Sequence, residues 1–178
     1  MTAFDPRPWH GVVYRQIPVQ SPFPPLDTHL AGRSREQRWN APGEPTLLLA
    51  NSRETARAEL AAHFQRDRHP DLAPLLQERR VYAIELSLER VFDLTDAAVI
   101  DGLAIPNAPG CFADRAVARA TAGFLRHVRG AHGIVVPSLA LPANPAHWNL
   151  VVFLERIPSL EAVVANLVPA DTFQLDSG

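Results

Sequence analysis

The stretch "RWNAPGEPTLLLANSRETARAEL", residues 38–60, places an arginine, a turn, an apolar run and a capped helix bearing one glutamate in close succession. An arginine and a carboxylate brought together by such a reversal can form a structural ion pair, or they can clamp a substrate. Both readings apply to Arg38 and Glu59. Pro42, Gly43 and Pro45 mark the reversal, which returns Arg38 toward the sheet edge from which the helix departs. Ser52 caps that helix, and at ~1.5 Å per residue Glu59 sits about 10 Å along it. Ala56, Leu60 and Phe64 form the apolar stripe, with Glu59 and His63 on its border, so Glu59 is expected to be neither core nor fully solvated.

Other chemistries lack their residues. No G-x-x-x-x-G-K-[ST] or G-x-G-x-x-G loop is present, nor a G-x-S-x-G elbow around Ser138. The 7 histidines fall in no H-x-x-x-H or H-E-x-x-H frame, and Cys111 is the sole cysteine, so neither a metal site nor an internal disulfide is expected. A net charge of -2 and a pI near 6.4 argue against coating nucleic acid or an anionic membrane. All 17 basic residues are arginine, which suits bidentate phosphate binding but also follows from a biased genome. Without a signal-like start or an apolar run of ~20 residues, a soluble cytoplasmic protein is expected.

At 178 residues and 47% hydrophobic content, the chain has room for one well-buried domain. Residues 1–11 read as a lead-in, 12–18 as a strand, and 21–37 as a loop long enough to carry function. Strand 46–51 runs into the Glu59 helix. Strand 81–88, a further short strand at "VFDL", a short helix capped by Thr95 or Asp96, and a helix over 114–130 follow. Strands at 133–138 and 148–156 precede a helix at "SLEAVVANLV" and a frayed end, so 157–178 reads as helix and tail. No βαβ rhythm emerges, and the expected class is α+β, one domain with a mixed, largely antiparallel sheet and flanking helices.

The ordered set "YR" (14–15), "RWN" followed by "PGEPTLLLANS", "ARAEL" with Glu59, and "HGIVVPSLA" with Ser138 resembles the RES domain family. The resemblance spans 12–156, which marks that stretch as a RES-like NAD-binding domain. It implies an ADP-ribosyltransferase-like fold and a bacterial toxin, restrained by an Xre-like antitoxin, that cleaves NAD at the nicotinamide–ribose bond. Water, phosphate or a protein side chain would accept the ADP-ribosyl group, making the enzyme an NAD glycohydrolase, phosphorylase or ADP-ribosyltransferase. Glu59 would be the catalytic carboxylate, with Arg38 beside it in the reaction. Arg15 and Arg38 would bind the pyrophosphate and ribose region, Ser138 would line the pocket, and Trp39 and Asn149 complete the cofactor-binding set. No metal is implied. In two places the chain departs from the family pattern: Leu48 stands where tyrosine is usual, and Gln37 precedes Arg38 where glycine is common. The alternative is therefore a catalytically weak or inactive NAD-binding module. The apolar termini allow an oligomer but specify none.

Overall fold

The computed structural model describes residues 4–33, 37–67 and 78–174. Its sheet has six strands in the order β1-β2-β5-β4-β3-β6, and β1 also pairs with β3, so the ladder β1–β2–β5–β4–β3 closes on itself. The strands are β1 (Arg7–Pro18), β2 (Thr46–Ala50), β3 (Arg79–Asp93), β4 (Gly133–Pro137), β5 (Trp148–Phe153) and β6 (Val164–Phe173). All pairings are antiparallel except β3 with β4. Helices α1 (Arg53–Asp67), α2 (Ala97–Leu103), α3 (Arg115–Gly123) and the short α4 (Leu160–Val163) flank the sheet. The α+β class and the mixed, largely antiparallel sheet agree with the sequence reading. No helix among the described residues is long and apolar enough to cross a membrane.

Period-two alternation in the central strands builds a core on each side of the sheet. Val151 and Phe153 of β5 join Trp39, Phe92, Phe112 and Leu125 on one side, while Leu150 and Val152 join Val13, Leu47, Leu49 and Ile84 on the other. A smaller cluster of Leu60, Phe64, Val81 and Phe173, with Tyr14 against it, seats α1. At Gly133 an added Cβ would lie 2.7 Å from the Val151 carbonyl oxygen, so β4 can approach β5 this closely only with glycine there.

Three elements differ from expectation. The two strands read at 81–88 and "VFDL" are one strand, β3. Arg7 and Trp9 oppose Val91 and Leu88, so β3 carries an extra residue around Glu89 and Arg90; this bulge reverses the alternation and makes one strand look like two. The lead-in 1–11 already contributes β1 from Arg7, held by its ladder to β3 rather than by an apolar pattern. In "SLEAVVANLV" only Leu160–Val163 is helical, and β6 begins at Val164. The edge of β3 over Arg79–Leu86 offers it a ladder, which serves β-branched valines better than a short isolated helix would. Residues 175–178, the end of the expected tail, lie outside the described residues.

The segment from Arg38 to β2 is pinned by a buried cation. Arg126, 1% exposed, pairs with Glu44 Oε2 at 2.7 Å and Glu155 Oε1 at 3.0 Å and lies 4.2 Å over the Phe153 ring. Burial pushes its guanidinium below its ordinary value, and Glu155 and Glu44 oppose that shift. Glu44 also accepts from the Ala41 backbone N–H at 2.7 Å and bonds the His127 ring at 2.7 Å. Burial alone would raise the Glu44 carboxyl, but His127, Ala41 and Arg126 together hold it below its ordinary 4.5. Arg126→Ala is expected to cost about 3–5 kcal/mol of stability in denaturant unfolding, because it removes the cation shared by two carboxylates. Glu44 binds its proton more weakly folded than unfolded, so its contribution is fully present above 4.5 and lost as pH falls through its lowered folded value. Acid titration of stability below pH 4.5 is therefore expected to fall more steeply for the parent than for Glu44→Gln.

Candidate active site

The end of β2, the end of β4 and the start of β5 meet in one place. Ala50 pairs with Asn149, and Asn149 pairs with Val136, so the three share one face of the sheet. Ser138, two residues beyond Val136, continues on that face, and its backbone N–H donates to the His147 carbonyl at 3.0 Å. The chain turns from Ala50 through Asn51 and Ser52 into α1, where the Ser52 hydroxyl accepts the Thr55 N–H at 3.0 Å as the cap expected of it. Ala56, Leu60 and Phe64 are buried as the helical stripe requires, and Glu59 is partly buried beside them.

Glu59 points back at the sheet. Its Oε1 accepts from Ser138 Oγ at 2.7 Å and from Asn149 Nδ2 at 2.8 Å. Ser138 and Asn149 are 1% and 4% exposed, so both donors are held in place by packing. The Ser138 oxygen also receives the Leu141 N–H at 3.3 Å, which directs the hydroxyl proton toward Glu59. Both donors use one carboxylate oxygen, and among the described residues nothing bonds Oε2. A carboxylate oriented by two neutral groups, with one oxygen left over, is suited to facing a centre that becomes positive during reaction.

Arg38 does not pair with Glu59. Its Nη1 donates to the carbonyls of Phe112 at 3.1 Å and Ala113 at 2.5 Å, in the one-turn helix Gly110–Ala113 that precedes α3. The structural ion pair is thus set aside: the partners of Glu59 are polar and neutral. Trp39 is 7% exposed and packs edge-on against Phe112 with ring centroids 5.3 Å apart, inside the core. Sequence reasoning passed over Arg119, whose Nε and Nη2 donate to the Gln37 carbonyl at 3.0 and 2.6 Å and so fasten the segment before β2. The Thr46 hydroxyl lies 3.1 Å from Gln37 Oε1 and 3.0 Å from Asn40 Oδ1 and shares its one proton between them. An arginine 82 residues from its carbonyl partner leaves no spacing signal.

Arg15 lies where β1 and β2 part company, since Tyr14 and Ala50 are their one matched pair. A cleft of about 350 Å³ opens there, lined by Arg15, Phe23, Asp27, His29, Gln37 and Leu48 among others. Both terminal nitrogens of Arg15 reach the Asp27 carbonyl at 3.5 Å. Burial pushes the guanidinium below its ordinary value, opposed by the nearby Asp27 carboxylate. Leu48, 47% exposed, faces this cleft. A larger cavity of about 470 Å³, between Trp9, His10, Leu88, His132 and Val163, contains none of these residues. Among the described residues no group of three or more His, Cys, Asp or Glu side chains is placed to hold a metal ion.

The model of the RES domain matches residues 9–176. No curated protein matches the chain. Of the solved structures, the M. tuberculosis MbcT–MbcA toxin–antitoxin complex contains a chain similar to this one at a TM-score of 0.65 and 18% identity, covering 98% of this chain and 89% of that one. At such identity the likeness is one of fold. The family match, extending over nearly every strand and helix just described, shows that this chain belongs to the RES domain family.

Proposed function

We propose that the protein is the toxin of a toxin–antitoxin pair and cleaves NAD at the bond between nicotinamide and ribose. The observation that carries this reading is the convergence of Glu59, Ser138 and Asn149, with Oε2 of the carboxylate left over. Family membership supports it, as does the likeness in fold to a chain from a toxin–antitoxin complex.

In this reading the pyrophosphate of NAD takes the place of the Asp27 carbonyl on Arg15, whose planar fork matches phosphate oxygens. The dinucleotide is then anchored at one end while the other reacts. As the glycosidic bond lengthens, positive charge grows on the ribose, and nicotinamide, cationic while attached, leaves neutral. Glu59 Oε2 faces that charge, with Ser138 and Asn149 keeping the carboxylate from turning away. Such a departure requires no general acid. Arg38, committed to two backbone carbonyls, acts by tying the 37–46 segment to the turn before α3. Water, phosphate or a protein side chain completes the transfer, and an Xre-like antitoxin is the proposed partner that covers the cleft.

Leu48 favours a second reading, a cleft that binds NAD with little turnover, because an aliphatic side chain replaces the ring and hydroxyl of the family's usual tyrosine. Calorimetry alongside chromatographic product analysis separates the two: binding without nicotinamide release would select the second. For the first reading, Glu59→Gln is expected to lower nicotinamide release by about 10²-fold or more while the melting temperature stays near the parent's. Undiminished release would remove Glu59 from the mechanism, and joint loss of fold and activity would make it structural. Arg15→Ala is expected to raise the KM for NAD by about tenfold with a smaller effect on kcat, as steady-state kinetics would show. Comparing products with and without inorganic phosphate identifies the acceptor.

A further inference from the structure

Thr55, at 0% exposure, precedes Glu59 by one turn of α1. Its hydroxyl oxygen lies 2.8 Å from Asn51 Oδ1, 2.9 Å from Ser52 Oγ and 2.8 Å from His147 Nδ1. The surroundings decide where each proton sits. Asn51 is oriented by two backbone contacts: Nδ2 donates to the Ala146 carbonyl at 2.7 Å, and Oδ1 accepts the Trp148 N–H at 3.2 Å. The Asn51 atom facing Thr55 can therefore only accept, and it takes the single proton of the Thr55 hydroxyl. What remains on the Thr55 oxygen is acceptor capacity, filled by the Ser52 hydroxyl and by His147. It follows that His147 carries a proton on Nδ1 and donates it to Thr55. The other ring nitrogen, Nε2, lies 4.0 Å from the Glu54 carboxylate.

These contacts tie the first turn of α1 to the connection between β4 and β5. The His147 carbonyl accepts the Ser138 N–H, and the Trp148 carbonyl, next to Asn149, accepts the Asn51 N–H at 3.0 Å. Thr55 and Glu59 are four residues apart and lie on the same face of the helix. Fixing the rotation of α1 at Thr55 thereby fixes it at Glu59. The apolar stripe of Ala56, Leu60 and Phe64 is narrow, and apolar contact alone tolerates a small rotation that two hydrogen bonds to one carboxylate oxygen do not.

We infer that Thr55 and His147 are positioning residues for the Glu59 site, with the His147 Nδ1–H to Thr55 bond setting where the carboxylate meets Ser138 and Asn149. The kinetic part of this inference rests on the NAD-cleavage reading. The structural part does not.

The test compares Thr55→Val, which removes the hydroxyl at nearly constant volume, with Thr55→Ser, which restores it. It also compares His147→Asn, which presents an N–H near the Nδ1 position, with His147→Gln. Nitrogen-15 NMR reads the His147 tautomer in the parent and the Asn149 side-chain amide signals in each variant. Thr55→Val is expected to lower kcat for nicotinamide release by about 100-fold, the scale of a roughly 1 Å misplacement, and to displace the Asn149 signals. Its KM should stay within about twofold of the parent's, because the carboxylate acts after binding. Thr55→Ser and His147→Asn should stay near the parent in both readouts, and His147→Gln should follow Thr55→Val. Parent-like kcat in Thr55→Val, or failure of serine to restore it, would overturn the inference. If Thr55→Val does not fold, the two His147 variants decide it by the same criteria. Should the parent release no nicotinamide, the NAD reading fails while the clamp is still judged by NMR. His147 protonated at Nδ1, with Asn149 signals displaced in Thr55→Val and unmoved in Thr55→Ser, upholds it; Nδ1 without a proton refutes it.

Discussion

Glu59 Oε1 accepts hydrogen bonds from Ser138 and Asn149 together, and this shared acceptor limits what the surrounding chain can do. Hydrogen bonds weaken steeply as their angles close, so two of them on one oxygen permit little sliding between α1 and the sheet. The strand register is constrained with them. Ala50, Asn149 and Val136 stand side by side across β2, β5 and β4. A one-residue slip of β5 would turn Asn149 to the opposite face and bring Leu150 toward the carboxylate. The apolar alternation of β5 opposes that slip at every position, because both of its faces are covered by core.

The same strand ties the site to the segment carrying Arg38. At one end of β5 stands Asn149; at the other Phe153 lies beneath the guanidinium of Arg126, which reaches out to Glu44 and Glu155. A buried ion cluster of this kind recovers its desolvation cost only through good geometry, so its influence is greatest on where the chain runs. Arg119 on the Gln37 carbonyl and Arg38 on the carbonyls of Phe112 and Ala113 act alike. Three arginines thus fasten the irregular approach to β2, where backbone carbonyls would otherwise lack partners from a regular ladder.

Strong local signals were readable from sequence. The Ser52 cap, the stripe of Ala56, Leu60 and Phe64, and the intermediate burial of Glu59 all follow from local periodicity and capping. Ser138 and Asn149, the two residues that the fold brings onto Glu59, carried no such local signal and were named only through the resemblance to the RES family. What escaped depends on partners distant in the chain. The neighbourhood of Arg38 and Glu59 in sequence pointed to a pair, yet the guanidinium donates to carbonyls 74 and 75 residues away. The bulge near Glu89 hid the continuity of β3, and a ladder on its edge drew residues 164–173 into a strand where the sequence had suggested a helix as far as Val168 and a frayed end beyond it. Thr55 and His147 belong to no motif, and their contact spans 92 residues.

The distances along the chain also bear on the order of synthesis. Glu59 belongs to the first third of the chain, while its two donors follow 79 and 90 residues later. During translation α1 leaves the ribosome well before β4 and β5 exist to receive it, and the ladder that closes the sheet cannot form until β5 has emerged. The nascent chain therefore carries its carboxylate through 90 further residues of elongation before both groups that aim it have been made. The N-terminal half alone, however well it collapses, has no assembled site.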